Sequence, residues 1–109
     1  MDTKQAVTAL ACLAQEARLE IFRLLVQTSP AGLAAGEIAL KLNMPSSTLS
    51  FHLKELSHAG LVKSSQSGRF VYYSTDFSTM NALMAFLTEN CCGGKQDCCP
   101  PAEAAGEEK

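Results

Sequence analysis

No stretch of this 109-residue chain approaches the roughly 20 consecutive apolar residues that a membrane-spanning helix needs, although 47% of its residues are hydrophobic. The apolar residues come instead in short periodic groups, so a soluble protein with no membrane partner is expected. The opening segment MDTKQAVTALACLAQEARLE lacks a basic start followed by an uninterrupted apolar run. It does not read as a secretory signal, and the expected compartment is the cytoplasm. Histidine is scarce, with only His52 and His58, and no polar cluster resembles a nucleophile beside its base. Enzyme activity is therefore not expected. An excess of positive charge is missing too: the formal net charge is −2, which taken alone argues against a polyanionic partner.

The distribution of charge reverses that argument. Between Lys41 and Thr75 the cations Lys41, Lys54, Lys63 and Arg69 face the single acid Glu55. From Asp76 onward the acids Asp76, Glu89, Asp97, Glu103, Glu107 and Glu108 outnumber Lys95 and Lys109. A modest basic face is thus central, and the acidic part is terminal. The length allows one domain with one core, and a domain this small leaves so much surface exposed that it gains from dimerisation.

The apolar spacing predicts five helices and a hairpin. Val7, Leu10, Ala11 and Ala14 place a first helix over Thr3–Leu13, with Asp2 or Thr3 as its N-cap. Leu19, Phe22, Leu25 and Val26, with Ile21 and Leu24 beside them, predict a core helix from Glu16 to Gln27, stopped by Thr28, Ser29, Pro30 and Gly32. A third helix from Ala34 or Ala35 to Leu42 buries Ile38 and Leu42 and ends before Pro45. Ser46 is then placed to cap a fourth helix through Ala59, which turns Leu49, Leu53 and Leu56 inward and stops at Gly60. Two short helices across a tight turn make a helix-turn-helix. Leu61–Ser67 and Arg69–Thr75, rich in Phe70, Val71, Tyr72 and Tyr73, predict a β-hairpin with its tip at Gln66, Ser67 and Gly68. Met80, Leu83, Met84 and Leu87 predict a last helix over Ser78–Asn90 that leads directly into the cysteines. The fold expected is mainly α with a β-hairpin wing, a dimeric winged helix-turn-helix. Residues 1–90 form its DNA-binding and dimerisation domain, and residues 91–109, without apolar pattern, form a flexible cysteine-containing tail.

The fourth helix carries the first candidate site. Ser46, Ser47, Thr48, Ser50, Phe51, His52 and Lys54 occupy its first turns and solvent face, where a recognition helix presents side chains to the major groove of double-stranded DNA. Hydroxyls donate or accept at base edges and phosphates, whereas Lys54 and Lys63 neutralise phosphates without reading sequence. Arg69, beside the hairpin tip, is placed to enter a minor groove, where narrow width concentrates negative potential. His52 has a competing reading, in which it packs behind the helix and bonds a backbone group.

The order of these parts, and the segment SSTLSFHLKELSHAGLVKSSQSGRFVYYS from Ser46 to Ser74, resembles the ArsR/SmtB family of metal-responsive repressors. The likeness covers about Ala9 to Leu87, and His52-Leu53-Lys54 with Ala59-Gly60-Leu61 is its most specific part. It implies that the matched segment holds recognition helix and wing, and that helices at the two chain ends form a homodimer interface. Phe51 departs from the pattern, standing where relatives commonly carry Arg or His. A phosphate or base contact is then missing there, or Phe51 touches a thymine methyl.

The second candidate site is Cys91, Cys92, Cys98 and Cys99, two adjacent pairs separated by five residues that include Gly93 and Gly94. Thiolates bind soft ions best, and the glycines let a short loop bring both pairs to one centre. Disulfides are disfavoured in a reducing compartment, and adjacent cysteines bridge each other only with strain. Four thiolates also satisfy tetrahedral zinc, though the usual spacing of ligands is absent. Trivalent arsenic or antimony takes a pyramid of three sulfurs, for which Cys91, Cys92 and Cys98 are the preferred trio and Cys99 the spare. Cys12, among Leu10, Ala11 and Leu13, reads as a packed helix residue. The resemblance implies an inducer site, yet the cysteines that arsenic-responsive relatives often carry near the third helix are missing from Leu33–Ile38, and the last helix has no histidine for a zinc site. The expectation is a repressor that binds operator DNA as a homodimer and dissociates when arsenic or antimony occupies the C-terminal thiolates. A zinc- or cadmium-responsive repressor, a redox-sensing repressor and an ion-buffering protein stay open beside it.

Overall fold

Asp2 begins the first helix by a reciprocal pair of bonds: its carboxylate accepts from the Gln5 N–H at 2.8 Å, and the Gln5 side chain accepts from the Asp2 N–H at 2.9 Å. The computed structural model describes residues 1–90, and in it helix α1 spans Thr3–Leu13 and α2 spans Glu16–Thr28. A two-residue strand β1, Leu33–Ala34, leads into α3, Ala35–Leu42, and α4 follows over Ser46–His58. Strands β2, Val62–Ser67, and β3, Phe70–Thr75, form the hairpin, and α5 covers Phe77–Leu87. The architecture is a winged helix-turn-helix, mainly helical, with a three-stranded antiparallel sheet of order β1-β3-β2. Among the described residues no helix is long and apolar enough to cross a membrane.

The core is built from one stripe of each helix. Ile21, Leu25, Ile38, Leu49, Leu56 and Leu61 are fully buried, with Phe22, Leu53, Val62 and Leu83 around them. Truncating one such side chain to Ala costs about 2–5 kcal/mol, because packed neighbours only partly fill the space left. Ser29 ties the end of α2 to the sheet: its hydroxyl donates to the Leu25 carbonyl at 2.7 Å and accepts from the Thr75 N–H at 3.2 Å. Gly32 is required between α2 and β1, since it sits at φ +80° and a Cβ there would collide with the Tyr73 carbonyl.

Several expectations need correction. The inward face of α1 is Ala6, Ala9 and Cys12, while Val7, Leu10 and Ala11 face outward. Small side chains let α1 approach α2, α4 and α5 closely, and the larger ones, about 100° round the helix, are left for another surface. In α2 the stripe is likewise rotated, burying Ile21, Phe22 and Leu25 and exposing Leu19 and Val26. Ser46 is the first helical residue and no cap: Pro45 holds that position, its carbonyl accepting from the Leu49 N–H at 3.0 Å. The hairpin tip lies one residue later than expected, at Gly68-Arg69, because β2 pairs through to Ser67 opposite Phe70. Gly68 at φ +63° supplies the positive first position of a tight hairpin turn. Helix α5 starts at an Asp76 cap and ends at Leu87, so Thr88, Glu89 and Asn90 stand between it and Cys91. Strand β1, with Leu33 opposite Tyr73 and Ala34 opposite Tyr72, was not anticipated at all. Two residues are too few to show a period of two.

Candidate nucleic-acid interface

Helix α4 divides cleanly into two faces. Leu49, His52, Leu53 and Leu56 point into the core, and Ser46, Ser47, Thr48, Ser50, Phe51 and Lys54 are exposed. At 3.6 residues per turn, Ser47, Ser50, Phe51 and Lys54 share one outward strip, which the leucines behind it hold against the body of the protein. The strip offers hydroxyls, one aromatic ring and one ammonium, with no acid among them. Glu55, the only carboxylate on the helix, is half-buried.

The wing adds charge at both ends. Lys63 pairs with Ser74 at the base of the hairpin, and Arg69 occupies the turn; both are exposed. They are separated by most of the length of β2, roughly 15–20 Å at strand rise. One face of the hairpin turns Val62 and Thr75 inward, and the pleat puts Lys63, Tyr72 and Phe70 on the other, with the Phe70 and Tyr72 rings 6.4 Å apart. Near Lys63, the Asp76 carboxyl is held below its ordinary value, first by the Ser78 hydroxyl bonded to it and with a smaller contribution from Lys63 itself.

His52 does not belong to this surface. It is 7% exposed, and its Nδ1 accepts a hydrogen bond from Arg18 Nε at 3.2 Å. Burial, and then the neighbouring guanidinium, push the imidazole below its ordinary value and keep it neutral. The expected DNA contact is therefore withdrawn, and the expected backbone partner is replaced by a side chain of α2. Arg18 is the partner of the α4 face that the sequence pattern did not single out. It stands at i, i+4 and i+7 with Phe22 and Leu25, so a cation on the core stripe was a visible sign that some acceptor had to meet it.

Cys12 is free and buried, as expected for a packed residue. Burial pushes its thiol up, against the opposing charge and hydrogen bond of Arg18. The other four cysteines, Cys91, Cys92, Cys98 and Cys99, lie outside the described residues. Among the described residues no three His, Cys, Asp or Glu side chains gather into a cation site.

Comparison with known proteins points the same way as the surface. A family described as a helix-turn-helix domain matches residues 13–65, from the end of α1 into β2. The transcriptional activator HlyU of Vibrio cholerae is 30% identical over 95 residues, covering 87% of this chain and 85% of that protein. Its structure superposes with a TM-score of 0.65. An ArsR-like transcriptional regulator from Rhodococcus sp. RHA1 is 26% identical, with a TM-score of 0.74 over 96% of this chain and 92% of that one. The homodimeric winged helix-turn-helix DNA-binding domain of a Mycobacterium bovis protein is also 26% identical, with a TM-score of 0.64 over 85% of this chain and 86% of that one.

Proposed function

Because this chain belongs to the ArsR/SmtB family of winged helix-turn-helix transcriptional regulators, we propose that it is a cytoplasmic repressor that binds operator DNA as a homodimer and leaves it when trivalent arsenic or antimony is held by Cys91, Cys92 and Cys98. The observation that carries the DNA-binding part is the strip Ser47, Ser50, Phe51 and Lys54, exposed and free of acids on a helix whose other face is clamped by four buried residues. A rigid helix with short polar side chains at its start can enter a major groove, and Arg69 at the wing tip is free to meet the flanking backbone or minor groove.

Dimerisation is supported by the apolar side chains left outside the core on α1 and α5, two helices that pack on each other: Val7, Leu10, Met84 and Leu87 are all more than two-fifths exposed. Residues 1–90 are then the DNA-binding and dimerisation domain, and residues 91–109 carry the inducer thiols. The reading of arsenic or antimony rests on thiol chemistry alone, since three sulfurs suffice for these ions and four are present. Release requires the loaded protein to prefer its DNA-free geometry. A coupling of about 1–3 kcal/mol lowers operator affinity about 5- to 150-fold.

One relative favours a second reading of the sign of regulation, because HlyU is named an activator. The deciding experiment is fluorescence anisotropy of reduced protein on a labelled fragment of its own promoter, titrated with arsenite, antimonite, zinc and cadmium, and repeated with Cys98→Ser. A promoter-reporter assay runs in parallel. Binding reversed by arsenite or antimonite in the parent but not the variant, with a reporter that rises on release, supports the metalloid-released repressor. Reversal only by zinc or cadmium changes the ion, a reporter that falls on release makes the protein an activator, and no duplex binding favours ion buffering.

A further inference from the structure

Arg18 touches both faces of the recognition helix through neighbouring residues. Its Nε donates to His52 Nδ1 on the buried side, and its guanidinium carbon lies 5.7 Å from the centroid of the Phe51 ring on the exposed side. The Phe51 and His52 rings are themselves 5.7 Å apart and inclined at 58°. Phe51 remains 54% exposed, between Ser47 and Lys54 on the outward strip. A phenyl ring that exposed has several rotamers open to it, which sweep its edge across several ångströms. The guanidinium selects among them, because it attracts the ring face while its own orientation is fixed by the bond to a buried, neutral imidazole.

We propose that Arg18 is a positioning residue for base readout: it holds the Phe51 ring where the ring meets the 5-methyl group of a thymine, which makes Phe51 a specificity-determining residue of the operator interface. This rests on the DNA-binding reading above. Phenyl has no donor or acceptor, and the thymine methyl is the one apolar feature of the base-pair edges in the major groove, so the partner follows from chemistry. Exposed hydroxyls at Ser46, Ser47, Thr48 and Ser50 adapt to donors or acceptors alike, whereas a fixed ring does not. Arg18 contributes through geometry and reads no base itself.

The probe is the protein's own promoter fragment, footprinted to its binding site, with each thymine in turn replaced by deoxyuridine, which removes the methyl and nothing else. In the parent protein, one thymine per half-site is expected to be sensitive, losing about 3- to 10-fold in affinity. Phe51→Ala abolishes that sensitivity, so that methylated and unmethylated duplexes bind alike. Arg18→Met reduces the sensitivity to below about twofold, and Arg18→Lys, which keeps the cation near the ring, restores part of it. A merely structural role would weaken all duplexes together and leave the methyl preference intact. Because Arg18→Met could lower folding stability, Phe51→Leu at the exposed position gives an independent variant, expected to shrink the preference with an unchanged thermal midpoint. The inference is overturned if no thymine is sensitive in the parent, if Phe51→Ala keeps the sensitivity, or if Arg18→Met weakens every duplex equally. Failure of the parent to prefer its promoter over a random duplex would instead overturn the DNA-binding reading, and this inference with it.

Discussion

Truncating Val7 and Leu10 of α1 to alanine is expected to separate the protomers while leaving each one folded. Val7 is 57% exposed and Leu10 43% exposed, so about half of each side chain is available to a partner. Fully burying a Val or Leu side chain stabilises by about 1.5–3 kcal/mol, which gives roughly 1 kcal/mol for each exposed half. A two-fold interface counts every substitution twice, so the double variant loses about 4 kcal/mol of association free energy. That is a shift of the dimer dissociation constant of about a thousandfold. Sedimentation equilibrium across a range of concentrations reads the constant directly, and circular dichroism of the same samples reports whether the helices persist. Leu40→Ala is the control, since Leu40 is 84% exposed on α3, which packs mainly on α2, α4, β1 and β3, and is expected to leave the constant unchanged. A shift below tenfold in the Val7/Leu10 variant, or an equal shift in Leu40→Ala, would refute the assignment of this face to the dimer.

Arg69→Ala and Lys54→Ala are each expected to lower the slope of log affinity against log salt by about one, if each side chain neutralises one phosphate, while arsenite uptake, measured as the loss of titratable thiols, stays unchanged. An unchanged slope in both would remove the phosphate role. The pH dependence of folding follows from His52, whose ionisation in the folded protein lies below its ordinary value of 6.5 through burial and then Arg18. The unfolded chain therefore binds the extra proton first, so the stability from this site is present above about pH 6.5 and is lost progressively as pH falls below it. Urea melts at pH 8, 6.5 and 5.5 should show that decline, and His52→Asn should flatten it; a parent more stable at 5.5 than at 8 would contradict the sign. Gly32→Ala is expected to cost more than about 1–2 kcal/mol, since positive φ alone costs that much and the Tyr73 carbonyl occupies the added methyl's place. A thermal midpoint within a degree of the parent would show that the loop can shift at no cost.

The helices were legible because they depend on local signals. Asp2 as N-cap, Gly60 at φ +77° and the leucines at 49, 53 and 56 are short-range arrangements, and the boundaries they imply stand within a residue or two. Most of the outward strip of α4 follows from the same spacing, since Ser47, Ser50, Phe51 and Lys54 lie opposite the buried leucines, but His52, counted on that face, is buried beside them. The hairpin register is less local. Gly68 was recognised, but the register that puts Ser67 opposite Phe70 depends on pairing along the whole hairpin.

By itself the sequence determined the order of the five helices and the hairpin and the inward leucines of α4, because each depends on residues within one turn or one short loop. Only the tertiary structure decided which side of α1 and α2 is core. Both helices are apolar around much of their circumference, and the choice between stripes is made by the closeness of approach that Ala6, Ala9 and Cys12 permit. Only the tertiary structure, too, took His52 away from the DNA surface. Its partner Arg18 is 34 positions distant in the chain, and a hydrogen bond between side chains on different helices leaves no trace in local periodicity.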